Sequence, residues 1–315
     1  MTSDGLLLAA AAFNVDRVTA EVTRALEAAS IPSILLKGPA IATWLYARGE
    51  NRFYVDTDLL LCEGDWEGAK GTLEGLGFED DLGPLGHPRM ESPAGHPWIR
   101  AADASAVDLH CTLFGIGVEP AALWEAFSAG AVHEHVGGAP VAMPSYEARL
   151  LHIALHAVQH GGEAYRQPMR DLALAVTRAP EPEWRRARLL AERLNAGEAF
   201  GAGLRLIPAG AELADAIGAA RGRSTATALK VEQVPMAEGF QQLAEARGAR
   251  SKLSLAAREL FPTPAFMRWW TSIAARGRLG LAAAYGWRLL WLAAHAVPGY
   301  RAWRRADRQG RRLRR

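Results

Sequence analysis

Apolar residues recur at two different periods along this chain, and the change of period divides it. Val18, Val22 and Leu26 lie four apart and share one face, which predicts a helix over 15–30 with Asn14 as its N-cap. Ile31 and Pro32 end that helix. Residues 33–36 read as a short buried strand, closed by Lys37-Gly38-Pro39 and followed by a second helix over 40–47. Over 52–61 the period falls to two, so Asp56 and Asp58 point one way and Val55, Thr57 and Leu59 the other. A third helix is predicted over 66–76. Residues 83–97 are rich in Gly, Pro and His and read as a loop. Two further strands follow over 98–101 and 105–113, joined by a turn at 102–104. After Val141 only helical spacing remains, with helices predicted over 147–160, 170–177, 183–195, 198–217 and 237–246. The pattern predicts an α+β fold. A small mixed-sheet core with an N-terminal helix occupies 1–143, a helical region 144–298, and a basic, flexible tail 299–315.

Composition narrows the class. Half of the 315 residues are hydrophobic, enough for a substantial core, and a formal net charge of +2 argues against a general nucleic-acid binder. The arginine-rich segment after Tyr300 is strongly basic, so the body before it is mildly acidic. Only two cysteines are present, Cys62 and Cys111, in no zinc or CxxC spacing, which fits reduced, buried thiols in a cytoplasmic protein. The apolar run 6–13 lacks a basic flank and is not read as a signal peptide. Arg288 and His295 interrupt the apolar stretch 279–297 and argue against a membrane span there.

Three pieces carry candidate chemistry, in chain order. Leu35-Leu36-Lys37-Gly38 runs a strand into a glycine turn and a helix, Val55-Asp56-Thr57-Asp58-Leu59 sets two carboxylates on one strand face, and Val107-Asp108-Leu109 places a lone carboxylate in an apolar strand. Hard divalent cations such as Mg²⁺ take carboxylate oxygens. Two such ions about 3.5–4 Å apart clamp both the attacking and the leaving oxygen of an in-line displacement at phosphorus. Backbone N–H groups of a glycine turn ahead of a helix suit phosphate oxygens. A carboxylate buried among leucines without a partner is costly, so these aspartates are read as functional rather than incidental.

The order of these pieces resembles the nucleotidyltransferase superfamily of DNA polymerase β. More closely, the chain resembles a bacterial family of uncharacterised nucleotidyltransferases found beside lasso-peptide or polysaccharide biosynthesis genes. The stretches that carry the likeness are ILLKGPAIATWLY, RFYVDTDLLL, VDLHCTL, LHIALHAVQHGG, RDLALAV and LFPTPAFMRWW. The resemblance implies a nucleotidyltransferase core, catalytic and metal-binding roles for Asp56, Asp58 and Asp108, and a phosphate-facing role for Lys37 and Gly38. It further implies two Mg²⁺ ions, with Mn²⁺ as a substitute, an NTP substrate, with ATP expected, and an acceptor it does not name. Better-known superfamily members carry Gly-Ser where this chain has Lys37-Gly38. Lysine there meets a triphosphate as a point charge.

Several residues keep two readings at this point. Lys37 is either a phosphate contact or a solvated strand-end lysine. Arg52 is either a phosphate or carboxylate partner in the nucleotide site or a surface ion pair. His110 shares the face of Asp108 and either contacts substrate or orients that carboxylate. His152, His156 and His160 form a stripe at i, i+4 and i+8 that can bind zinc, but no HExxH pattern accompanies it. The resemblance places this helix against the active site, packed with the Asp171 helix, and so implies a packing and substrate-lining role for His156 and His160, together with Asp171, which either holds an imidazole or meets substrate. His87 and His96 lie in the Gly/Pro loop and are read as solvated. The Trp- and Arg-rich C-terminus is read as docked helices up to Pro298, with weak contact to an anionic membrane as the role open to the basic end. Two rivals to an active enzyme stand: a catalytically degenerate nucleotide-binding protein, and a membrane-peripheral accessory protein of a biosynthetic complex.

Overall fold

A computed structural model describes residues 3–47, 50–82, 95–160 and 166–313, so His87 and the loop around it lie outside the described residues. The chain divides into two compact units, one of residues 1–80 with 93–221, the other of 81–92 with 222–315.

The first unit opens with α1 (Ser3–Ala28), which begins well before Asn14, so that residue lies inside the helix and does not cap it. Then come β1 (Ser33–Leu35), α2 (Pro39–Leu45), β2 (Thr57–Leu61), α3 (Trp66–Gly75), β3 (Glu79–Asp80), β4 (His96–Arg100) and β5 (Ser105–His110). These strands form one mixed sheet in the order β1-β2-β5-β4-β3, in which only β2 and β5 run parallel. β2 is shorter than the alternation suggests, because residues 51–56 make no ladder. After α4 (Pro120–Ser128), a separate hairpin pairs β6 (Val132–Val136) with β7 (Ala139–Met143). Its two turn residues, Gly137 and Gly138, have φ of 54° and 81°, as tight hairpin turns require.

Side-chain alternation assigns the two faces of this sheet. Leu35, Leu59, Leu61, Val107 and Leu109 pack with Val18, Val22 and Leu26 of α1 and Leu73 of α3. Ile34, Leu36 and Leu60 pack the other way, into a core with Ile41 and Leu45 of α2 and with the helices that follow. Those helices are α5 (Tyr146–His160), α6 (Arg166–Arg178), α7 (Glu181–Arg193), α8 (Gly197–Leu204) and α9 (Pro208–Ala216). The single helix expected over 198–217 is two. Pro208 has no N–H to continue the first and sits at the start of the second. α5 is central, with eleven buried residues. α8 crosses it so closely that a Cβ on Gly203 would lie 2.2 Å from the carbonyl oxygen of Ala154, so only glycine fits.

The second unit is helical throughout its described residues: α10 (Thr225–Glu232), α11 (Ala237–Glu245), α12 (Ala249–Leu260), α13 (Pro264–Trp270) and α14 (Gly277–Leu313). Ser224 caps α10 and Thr263 caps α13, each hydroxyl accepting from the backbone N–H three residues on. α14 runs through Pro298, and buried Ala302 and Ala306 pack it against Leu229 and Ala237. The segment after Pro298, expected as a flexible tail, continues the helix as far as Leu313 and is packed at Ala302 and Ala306. No helix among the described residues is long and apolar enough to cross a membrane.

Candidate functional site

The face of the sheet toward α5 carries the acids. Asp58 on β2 shares its face with Leu60, and Asp108 and His110 on β5 alternate with the α1-facing Val107 and Leu109. Parallel pairing sets Asp58 directly opposite Asp108, and adjacent strands lie about 4.8 Å apart. Ligand atoms of Asp58, Asp108 and His110 all lie within 4.8 Å of one another. Thr57 marks the other face, with its hydroxyl hydrogen-bonded to that of Thr19 on α1 at 2.8 Å.

Two carboxylates side by side, Asp58 buried and Asp108 half-buried, repel each other, and Lys37 offsets this. Its Nζ lies 2.6 Å from Oδ1 of Asp58, and Nε2 of His110 lies 3.1 Å from the same oxygen. Burial alone would push the Asp58 carboxyl up, but the Lys37 charge and the His110 hydrogen bond outweigh it and hold Asp58 well below the usual carboxylate range. Asp108 goes the other way, raised by burial and by the Asp58 charge. Asp56, just ahead of β2, is pushed up to about 6 by burial and by Asp58, against the opposing charge of Lys37. Burial disfavours the ammonium of Lys37, yet Asp58 and Asp56 keep its pKa above the ordinary lysine value. The structure therefore brings Lys37, Asp58, Asp108 and His110 together, with Asp56 within their electrostatic reach. His110 bonds to Asp58 across the strands rather than only flanking Asp108.

This donor set fits a divalent cation. Among the described residues, Oδ2 of Asp58 is buried without a hydrogen-bond partner, and an orphaned buried carboxylate oxygen is costly unless a cation meets it. Two carboxylates with one imidazole suit a hard or borderline metal.

Gly38 forms the turn after Lys37 with φ 61° and ψ −119°, a conformation that only glycine adopts without strain. Pro39 has no N–H, and those of Ala40 and Ile41 bond back to the carbonyls of Lys37 and Gly38. The turn's capacity to face phosphate thus narrows to Gly38 and the Lys37 ammonium. The ring of Tyr54 backs Gly38, and its hydroxyl donates to Asp16 at 2.9 Å.

The histidine stripe of α5 borders this cluster. His152 and His156 are buried, and Nδ1–H of His152 donates to the carbonyl of Leu36 at 3.3 Å. Burial, followed by the Lys37 charge, pushes His152 down to about 3 and His156 well below its usual value, so both rings are neutral. His160 stacks edge-on against His156 with centroids 4.5 Å apart. The stripe does not converge as a metal-ligand set: among the described residues, Asp58, Asp108 and His110 form the only group of three that does.

Arg52 and Asp171 build a second centre. Nε and Nη2 of Arg52 donate to both oxygens of Asp171 at 2.8–3.2 Å, and the two side chains are 3% and 1% exposed. Tyr46 donates its hydroxyl to Oδ1 at 2.6 Å and Gln167 its amide at 2.8 Å. The ion pair is buried, not superficial, and it fixes the segment before Asp56 onto α6. Arg52 also acts on Asp56, helping to oppose the rise in its pKa. Tyr46, Tyr54 and Gln167 escape a reading of the sequence. Only Gln167 carried a signal, its i, i+4 spacing to Asp171. His96, read as a solvated loop residue, instead opens β4 and bonds to Asp80 at 2.8 Å. Burial pushes the Cys111 thiol up to about 11, the opposite of an activated nucleophile.

No curated protein matches the chain. The family model described as an uncharacterised nucleotidyltransferase matches residues 5–209, which takes in every residue of the two centres and stops short of the helices α10 to α14. With nearly two thirds of its length matched and the acids paired across β2 and β5, the chain belongs to this uncharacterised nucleotidyltransferase family.

Proposed function

We propose that the protein transfers a nucleoside monophosphate from an NTP, with ATP the preferred donor, to a hydroxyl or similar group of an acceptor, a peptide, a sugar or a small metabolite. The acceptor oxygen forms a bond to the α-phosphorus, the bond from that phosphorus to the β-bridging oxygen breaks, and pyrophosphate leaves. The observation that carries this reading is the direct pairing of Asp58 with Asp108 on parallel strands, with His110 and Lys37 on the same oxygen of Asp58.

In this reading Asp56, Asp58 and Asp108 hold Mg²⁺, which supplies charge stabilisation to the attacking and leaving oxygens. Asp108, raised by its surroundings, takes the acceptor's proton. Lys37 and Gly38 meet the triphosphate. Arg52 supports Asp56 through the ion pair with Asp171, and His156 and His160 line the acceptor side. The neutral ring of His156 suits an uncharged surface against which an acceptor is positioned.

A second reading, nucleotide binding without turnover, draws support from the tight Lys37–Asp58 contact, since that ammonium already neutralises a metal-binding oxygen. Titration of ATP with Mg²⁺, beside a pyrophosphate-release assay in cell extract, separates the two. Transfer is expected in the native protein and absent in Asp56→Asn, with unfolding behaviour unchanged. Pyrophosphate release that survives this substitution rejects the assignment, and binding with no release favours the second reading.

A further inference from the structure

We propose that α14 docks the protein onto an anionic lipid surface. The helix has 37 residues and two unlike faces. Ala284, Arg288, Leu292, Ala302 and Ala306 are buried along one of them. Arg288 there bonds to Glu259 and lies over the rings of Phe266 and Trp270, 5.1 and 5.3 Å from their centroids. The helix is thus fixed to its own unit by the face that carries Arg288.

The opposite face has no such cover. At 3.6 residues per turn, Leu279, Trp287, Leu290 and Val297 fall in one stripe. They are 87%, 52%, 66% and 55% exposed. The same stripe continues past Pro298 as Arg301, Arg304, Arg305 and Arg308, all exposed. Over its whole length the helix holds eight arginines and one acidic residue, Asp307. A row of large apolar side chains that ends in a cationic cluster matches a bilayer interface, where apolar groups enter the acyl boundary and arginines meet anionic headgroups.

The other occupants fit less well. A nucleic acid would use the arginines but leave the Leu279–Val297 stripe in water. A second copy in parallel register would set arginine against arginine. A span is excluded by the length of apolar sequence it needs. A cavity of about 390 Å³ lined by Phe240, Leu243, Leu289 and Ala293 adjoins the stripe and extends its apolar surface.

The test is flotation of the full chain with phosphatidylcholine vesicles, with and without phosphatidylglycerol. The protein is expected to float with the anionic vesicles only, and less so as salt is raised above about 0.1 M. Each basic residue near such a surface is worth about fivefold in binding, so Arg304→Glu with Arg305→Glu should weaken binding by roughly thirtyfold or more. Trp287→Ser with Leu290→Ser keeps the charge and should weaken it about tenfold or more. All four positions are exposed or partly so, and circular dichroism checks that the helices persist. Failure to float with anionic vesicles overturns the proposal. So does flotation indifferent to the Trp287 and Leu290 substitutions, RNA binding without vesicle binding, or self-association that Leu290→Ser abolishes while vesicles are ignored. None of these outcomes bears on nucleotide transfer, whose residues lie in the other unit.

Discussion

Replacing Asp171 with alanine tests how the loop ahead of Asp56 is held. The carboxylate is 1% exposed and accepts four donor groups from three residues: Nε and Nη2 of Arg52, the hydroxyl of Tyr46 and the amide of Gln167. Removing it leaves a guanidinium 3% exposed with two N–H groups unpaired, and leaves the Tyr46 hydroxyl, which still accepts from Gln167, without an acceptor for its proton. Charge-assisted hydrogen bonds are worth about 1.5–3 kcal/mol each, but they share one acceptor and do not add. The governing figure is that for breaking a buried ion pair, about 3–5 kcal/mol. Urea unfolding followed by far-ultraviolet circular dichroism reads the loss as a fall in midpoint at constant slope. Asp171→Asn keeps an acceptor oxygen and should lose less. Arg52→Met combined with Asp171→Leu removes both charges and should recover most of the stability, since a well-packed apolar pair often equals a buried ion pair. A loss below about 1 kcal/mol in Asp171→Ala, or strictly additive losses in the double variant, would refute the reasoning.

Further expectations follow from the same geometry. Gly203→Ala drives a methyl into the carbonyl of Ala154 and should separate α8 from α5 at a cost of about 3 kcal/mol; an unchanged melting temperature would contradict the close crossing. Gly38→Ala forces alanine to φ 61° and should cost about 1–3 kcal/mol in thermal unfolding, together with a loss of pyrophosphate release larger than the stability change explains. His152 and His156 are neutral when folded, with His152 down to about 3, and protonate near ~6.5 when unfolded. The unfolded chain therefore binds more protons between those values, so stability falls as pH drops below ~6.5, by up to about 1.4 kcal/mol per pH unit for each histidine. His152→Asn should flatten that slope in unfolding curves taken from neutral to mildly acidic pH, and an unaltered slope would argue that the ring is not buried neutral.

What the sequence discloses about the site depends on range. The face taken by Asp58 is local, set by alternation with Thr57, whose hydroxyl meets Thr19 of α1 on the far side, whereas Asp56 lies ahead of the strand. Asp108 stands out because Val107 and Leu109 flank it. The register that sets Asp58 against Asp108 is invisible locally, since parallel pairing is decided by packing on both faces of the sheet. Arg52 looks like part of a ten-residue strand, yet residues 51–56 make no ladder and its partner lies 119 residues away. Proline misleads in both directions. Pro208 breaks a helix that the apolar spacing carries across it, whereas Pro298 fails to break α14, where Ala302 and Ala306 are held by tertiary packing.

The account's central claim is nucleotidyl transfer by the acids of β2 and β5. Its most direct test supplies the protein and Mg²⁺ with ATP labelled at either the α- or the γ-phosphate, in extract from cells that lack it. The α label should appear on an acceptor and the γ label only in pyrophosphate, with both signals lost in Asp58→Asn and in Asp108→Asn. Transfer of the γ label to the acceptor, or undiminished labelling in either variant, would contradict it.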